Sequence, residues 1–236
     1  MRVGPFSDAG LFERSGDQQA AEIMDLCNIR PDASVLEVGC GCGRLARAFI
    51  KHLHPRGSYD GFDVSADMVA WCQRHLQTRA HNFRFTRLDV YSPDQNPAGS
   101  IKAAALSFPY APGSFDAAIV SSVFTHMMPD EIERYVSELA RVIKPGGACY
   151  VTAFLLDEEG EAAVARGATI FDFRHPIGPC LTFCPEHPEQ GIACRKNWLL
   201  RLLDRYGLRV DAVREGTWRS VRSYEVFQDS IVATKQ

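Results

Sequence analysis

The chain has 236 residues, 46% of them hydrophobic and 23% charged, which suits one globular α/β domain with a real core. Its formal net charge of −3 and its lack of Lys/Arg runs exclude an electrostatic footprint for nucleic acid. No apolar run reaches the roughly 18 residues needed to span a membrane, and "MRVGPFSDAGLFERSGDQQ" lacks the apolar core of an export signal, so the chain is expected to be cytoplasmic.

The first predicted element is a helix from about Gln18 to Cys27, with Ala21, Met24 and Leu26 apolar and Asp17 placed to cap it. "NIRPDA" breaks it, and "SVLEVG" follows as a short, mostly buried strand. A helix from about Arg44 carries Leu45, Phe49 and Leu53 on one face and ends at "HPRG". The cycle then repeats. "SYDGFDV" is a strand, Ser65 can cap a helix carrying Met68, Val69, Cys72 and Leu76, and "FRFTRLDV" is a third strand. A proline-rich irregular segment precedes the fourth strand, "FDAAIVSSV". The helix "DEIERYVSELARVI" stops at "KPGG", and "ACYVTAFLL" is the fifth strand.

Strands alternating with helices imply βαβ units and a parallel sheet. After Leu156 the pattern lapses, and residues 157–196 have no readable periodicity. A last helix, "NWLLRLLDRYG", precedes two strand-like runs, "LRVDAVREG" and "YEVFQDSIVATK". Too few residues separate them for a crossover helix, so they are expected to pair antiparallel.

The glycines of "VLEVGCGCGRLA" sit between the first strand and its helix, where a turn lets backbone N–H groups approach a ligand. A dinucleotide turn reads G-x-G-x-x-G. Here the pattern is Gly39-Cys40-Gly41-Cys42-Gly43, and Arg44 occupies the place of the third dinucleotide glycine. Three acids then fall at the ends of successive strands. Glu37 and Asp63 are 26 residues apart, and so are Asp63 and Asp89. Equal spacing places each at the C-terminal edge of the sheet, where open α/β folds bind ligands. Asp63 there can accept both hydroxyls of a ribose, and Asp89 the exocyclic amine of an adenine. Glu37, in an apolar strand, requires a polar partner because an unpaired buried carboxylate is costly.

Taken with "YDGFDVSADMV", "FRFTRLDV", "FPYAPGSFDAAIVSSVFTHM" and "ELARVIKPGGACYVT", these stretches resemble the class I S-adenosylmethionine-dependent methyltransferases over about residues 17–156. The resemblance implies a Rossmann-like, seven-stranded, mostly parallel sheet with an antiparallel final strand and helices on both faces. It implies one domain over residues 1–236, with 157–196 as an irregular lid or acceptor insertion. It implies S-adenosyl-L-methionine as cofactor. Glu37, Gly39, Cys40 and Gly41 would line its methionine part, Asp63 with Val64 and Met68 the ribose side, and Asp89 with Val90 the adenine. Ser122 would offer a hydroxyl to the cofactor amine.

The methyl donor is already activated, so the protein must chiefly hold an acceptor in line with it. A base matters only if the nucleophile loses a proton. His126, in "SSVFTHMMP" after the fourth strand, is the candidate catalytic residue as base or acceptor contact. The alternative is that it orders the loop or caps the helix at Pro129. Phe124, Phe108 and Tyr110 either flank the ligands or pack the core, and Asp116 reads as a strand-start residue. Arg174 and His175 could meet an acidic acceptor. The expected partner is a small-molecule acceptor, with neither nucleic acid nor membrane involved.

No metal is expected. Cys40 and Cys42 offer two ligands where structural zinc takes four. Cys180, Cys184, His187 and Cys194 have suitable ligand types but read better as loop residues with buried thiols. The eight cysteines are read as reduced. Two alternatives remain: an NAD(P)-linked oxidoreductase with an unusual glycine turn, and a catalytically silent cofactor-binding module.

Overall fold

The structure, a computed structural model, describes residues 8–219 and 227–236. Helix α1 spans Ala9–Leu26, and Asp8 caps it by accepting from the Leu11 N–H at 2.6 Å. It therefore begins well before the expected Gln18. Gly16 misleads here, because glycine in a helix costs about 1 kcal/mol relative to alanine. The cost is met for packing: a Cβ at Gly16 would lie 2.6 Å from the Arg44 carbonyl oxygen. Asp17, instead of capping, accepts from Arg47 at 2.8 Å.

Three βα units follow, with β3 standing between the second and the third. Strand β1 (Ser34–Val38) leads to helix α2 (Ala46–His52), and β2 (Ser58–Asp63) to α3 (Ala66–Cys72), which runs on as a π-helical turn over Gln73–Gln77. Ser65 stands at the α3 N-cap position without a side-chain capping bond. Strand β3 is Phe83–Arg87, β4 is Phe115–Val120 and α4 is Pro129–Val142. Strand β5 covers Ile143–Leu156, beginning directly where α4 ends, before Pro145 could break the helix. Asp116 works as a strand-start residue, accepting from the Ser34 N–H at 2.8 Å and from Lys144 at 2.9 Å.

Residues 157–196 are more regular than their sequence suggests. They hold α5 (Glu158–Ala165) and three short strands, β6 (His175–Ile177), β7 (Cys180–Thr182) and β8 (Ile192–Arg195). Helix α6 (Lys196–Arg205) leads into β9 (Leu208–Arg214), and β10 (Asp229–Lys235) closes the chain. The start of the expected last strand, at Tyr224, lies outside the described residues.

The main sheet runs β3-β2-β1-β4-β5 in parallel; β10 joins β5 antiparallel, and β9 joins β10 antiparallel. These seven strands form the expected sheet. The insertion adds to it: beyond β4, Phe154–Leu156 of β5 pair in parallel with β8, which continues antiparallel through β7 to β6. Helices cover both faces. Ile23, Phe49 and Val69 of α1, α2 and α3 pack in one buried cluster. Val136, Leu139, Leu199 and Leu202 of α4 and α6 pack in another. A third cluster joins the end of β5 to the insertion, with Phe154 5.3 Å from Phe173 and 5.5 Å from Trp218 between ring centroids. Strand order reverses at β1, so the crevice above the ends of β1 and β4 is where such a sheet binds ligands. No helix among the described residues is long and apolar enough to cross a membrane.

Candidate active site

The turn after β1 is held by two bonds from Gly39 N–H and Cys40 N–H to the Phe62 carbonyl, at 2.9 and 3.0 Å. Gly39, Gly41 and Gly43 all have left-handed φ, at 72°, 50° and 74°, a region that favours glycine. Their surroundings differ. A Cβ at Gly39 would meet Val123 Cγ2 at 2.5 Å, and one at Gly43 would meet Leu76 Cδ1 at 2.3 Å. At Gly41 the nearest atom would be Met68 Sδ, at an ordinary 3.8 Å. Gly39 and Gly43 are thus required by packing, whereas Gly41 keeps an open space that a side chain would fill, bordered by Met68.

Asp63, at the end of β2, latches this turn. Its Oδ2 accepts from the Gly41 N–H at 2.8 Å and its Oδ1 from the Ser65 N–H at 2.9 Å. Partial burial pushes the carboxyl above its ordinary range, opposed by the N–H groups of Ser65, Gly41 and Val64. Val64 beside it is half-buried.

Glu37 is buried at the end of β1. Its partner is the Tyr59 hydroxyl, which donates to Oε2 at 2.5 Å across the β1–β2 pair. Burial lifts the Glu37 carboxyl to about 8; the Tyr59 hydroxyl and the Arg44 guanidinium pull it down, and Asp63 pushes it up. Arg44 itself donates to Gln19 Oε1 on α1, and Gln19 Nε2 donates to Ser121 Oγ at 3.2 Å. Helix α1 is thereby tied to the loops after both β1 and β4. Neither Tyr59 nor Gln19 carries a local signal that marks it as a site neighbour, because each is an unremarkable residue until the chain folds.

The thiols beside the turn serve packing. A Cβ at Gly61 would lie 2.9 Å from Cys40 Cβ, so Cys40 fills the space above that glycine, and Cys72 donates to the Gly41 carbonyl at 3.4 Å. In the insertion, Cys180 and Cys194 face each other across β7 and β8 with sulfurs 3.5 Å apart, while His187 lies 3.6 Å from Glu189. All eight cysteines are free thiols.

Asp89 orders the loop after β3. Its Oδ2 accepts from the Ser100 hydroxyl at 2.6 Å and its Oδ1 from Asn96 at 3.3 Å. These two partners, the hydroxyl foremost, hold its carboxyl below the ordinary range. Val90 is buried and its carbonyl accepts from Asn96 Nδ2 at 2.9 Å. Asn96 therefore braces both expected adenine-side residues.

After β4 the backbone turns sharply. Ser122 has a φ of 58°, uncommon for a residue with a side chain. Its N–H donates to Thr152 Oγ1 at 2.8 Å and its hydroxyl to Gln228 Oε1 at 3.0 Å. Thr152 also donates to Gln228 Oε1. The Ser122 hydroxyl is thus committed to Gln228, a partner with no local sequence signal.

His126 is exposed, on a single 3-10 turn over Phe124–His126, and its Nδ1 lies 2.8 Å from the Glu189 carbonyl oxygen. It does not cap α4: Pro129 occupies the first turn, and the Met128 N–H donates to Glu131 Oε2 at 2.8 Å. Phe124 is fully buried, Phe108 packs edge-on against Phe62 at 5.0 Å, and Tyr110 against Phe115 at 4.9 Å. These aromatics take the core alternative. Arg174 pairs with Asp172, and His175 is exposed at the start of β6.

The arrangement fits the cofactor implied by the resemblance. Gly41 leaves a cradle, Asp63 stands beside it with lone pairs for hydroxyl donors, and Arg44, just after the glycine turn, donates to Gln19.

Comparison with known proteins agrees. A family profile described as "Methyltransferase domain" matches residues 36–149. The arsenite methyltransferase of Aquipseudomonas alcaligenes is 32% identical over 138 residues, 58% of this chain; the chain spans only 36% of that relative's length. Among solved structures, the PH0226 protein of Pyrococcus horikoshii superposes with a TM-score of 0.63 at 17% identity, covering 100% of this chain and 97% of the other. The 1,6-didemethyltoxoflavin-N1-methyltransferase of Burkholderia thailandensis, solved with S-adenosylhomocysteine, gives 0.59 at 16% identity, covering 97% and 81%. This strand order, with the methyltransferase domain matched from the first strand into the fifth, supports a class I S-adenosylmethionine-dependent methyltransferase with S-adenosyl-L-methionine as its cofactor.

Proposed function

We propose that the protein methylates a small-molecule acceptor by direct displacement, within a single domain in which residues 157–196 cover the acceptor side. The supporting observation is the latch of Asp63 onto Gly41, which leaves an open glycine beside a carboxylate at the switch point of the sheet. When bound, the cofactor supplies a methyl group on a sulfonium that needs no further activation. Asp63, with Val64 and Met68, would hold the ribose side. Glu37, Gly39, Cys40 and Gly41 would border the methionine part. Asp89 and Val90, braced by Asn96, would face the adenine, and Ser122 would shape the floor of the methionine end. Calorimetric titration tests this directly. S-adenosylmethionine and S-adenosylhomocysteine are expected to bind and NAD not to; the reverse would establish the oxidoreductase alternative. Binding without transfer to any component of a metabolite extract would favour a silent module.

Glu37 gives the cofactor site a proton signature. In the folded chain its carboxyl lies at about 8 against an ordinary 4.5, because it is buried among Tyr59, Arg44, Asp63 and Cys40. The folded state thus binds this proton more tightly than the unfolded one, and the associated stability is lost as pH rises from about 4.5 through about 8. A cationic cofactor amine beside Glu37 favours the charged form. Cofactor binding at neutral pH is therefore expected to release a proton, seen as a buffer-dependent binding enthalpy. In Glu37→Gln that dependence should vanish. Equal buffer dependence in both proteins would remove Glu37 from the amine site.

His126 would act as the base toward the acceptor. His126→Ala is expected to lower turnover about 100-fold, the lower end of general-base contributions, while leaving S-adenosylhomocysteine affinity intact. Unchanged turnover with a true acceptor would exclude this role.

A further inference from the structure

We propose that the backbone carbonyl of Glu189 fixes His126 as its Nδ1–H tautomer, which makes the inserted turn a positioning element for proton removal from the acceptor. This rests on the methyl-transfer reading above and deepens it. His126 Nδ1 lies 2.8 Å from the Glu189 carbonyl oxygen. A carbonyl oxygen has no proton to give, so the proton in this bond belongs to Nδ1. Neutral imidazole carries only one N–H, so Nε2 retains its lone pair. The ring is exposed, which leaves that lone pair open to an acceptor.

The turn that presents the carbonyl is held at both ends. Thr182 of β7 pairs in register with Ile192 of β8. Between them, Pro188–Gln190 form one 3-10 turn, in which the Gln190 N–H donates to the His187 carbonyl at 3.0 Å and the Gly191 N–H to the Pro188 carbonyl at 3.1 Å. The buried Thr182 Oγ1 accepts from the Cys184 N–H at 3.1 Å and lies 3.3 Å from the Pro188 carbonyl. Gly191 leaves the turn against Phe183, whose ring would stand 2.0 Å from a Cβ there. The Glu189 carboxylate lies toward His187, so His126 meets the backbone of Glu189.

The proton balance follows. The acceptor's X–H nucleophile, a hydroxyl, thiol or N–H, forms the new X–C bond. The C–S bonding pair stays on sulfur, and the proton passes to Nε2. The resulting imidazolium keeps its Nδ1–H on Glu189 and afterwards loses the Nε2 proton to water.

Long-range 1H–15N NMR of the imidazole nitrogens in the full chain, with His126→Ala used to assign the signal, reads the tautomer without an acceptor. At a pH where the ring is neutral, Nδ1 is expected to be the protonated nitrogen and Nε2 the bare one. Gln190→Pro removes the bond to His187 and biases Glu189 away from the helical region. It is expected to shift His126 into the tautomer mixture of a free imidazole while S-adenosylhomocysteine affinity stays within about twofold. Thr182→Val should act in the same direction and serves if the proline variant does not fold. An Nε2–H or mixed tautomer in the unmodified chain would overturn the proposal, as would an unaltered tautomer in both folded variants. Failure of the chain to bind S-adenosylhomocysteine would count against the methyl-transfer reading instead, and the NMR result would still be readable.

Discussion

Asp63→Ala is expected to lower stability by about 2–4 kcal/mol and to weaken S-adenosylhomocysteine binding by at least tenfold. The stability term arises from the two N–H groups, of Gly41 and Ser65, that lose their acceptor; each orphaned donor costs about 1–3 kcal/mol, and partial solvent access keeps these two toward the lower end. The binding term has two sources. Ribose hydroxyls lose a charged acceptor, and the Gly41 turn loses the bond that fixes it. Asp63→Asn separates them. An amide has one acceptor oxygen, so it can keep either the Gly41 or the Ser65 bond while presenting N–H to the other. Stability of Asp63→Asn should therefore fall between the wild type and Asp63→Ala, with binding still impaired. Urea unfolding and calorimetry on the same preparations measure both terms. Normal binding by Asp63→Ala would exclude Asp63 from the cofactor site.

A larger loss of stability is expected at Asp229, which no sequence pattern singles out. This carboxylate is fully buried at the start of β10. Its Oδ2 accepts from the Leu155 N–H at 2.7 Å and the Trp218 indole N–H at 2.8 Å, and its Oδ1 from the Gly216 N–H at 2.8 Å. Burial raises its pKa, and these three donors oppose the rise. Asp229→Ala orphans all three and should cost about 3–6 kcal/mol. Asp229→Asn can retain the Leu155 and Trp218 bonds through its single oxygen, so its cost should be about 1–3 kcal/mol. The effect extends to the site, because the preceding residue, Gln228, holds Ser122 and Thr152. Any folded Asp229→Ala protein should bind S-adenosylhomocysteine more weakly than Asp229→Asn. Indistinguishable stabilities for the two variants would show that the hydrogen bonds are not what makes Asp229 necessary.

The parts of the fold legible in the sequence are those set by neighbouring residues. The βα alternation, the glycine turn and the regular spacing of Glu37, Asp63 and Asp89 each follow from local periodicity or from backbone conformations few residues adopt. The closing antiparallel pair followed from a linker too short for a crossover. The first half of helix α1 is hidden in the sequence, because a glycine such as Gly16 is unfavourable within a helix and only the crossing of Arg44 explains it. Residues 157–196 gave no period because their strands are three or four residues long and take their register from the end of β5.

From the residues alone came the parallel α/β sheet and the placing of Glu37, Asp63 and Asp89 at or just after the ends of its first three strands, since chain geometry over a few residues dictates both. Tertiary structure decided the partners. It gave Glu37 to Tyr59, 22 residues away, His126 to the Glu189 carbonyl, 63 away, and Ser122 to Gln228, 106 away. A hydrogen bond between distant segments needs only one donor and one acceptor brought together by packing. It leaves no repeat in the sequence, so the fold alone reveals which polar groups meet.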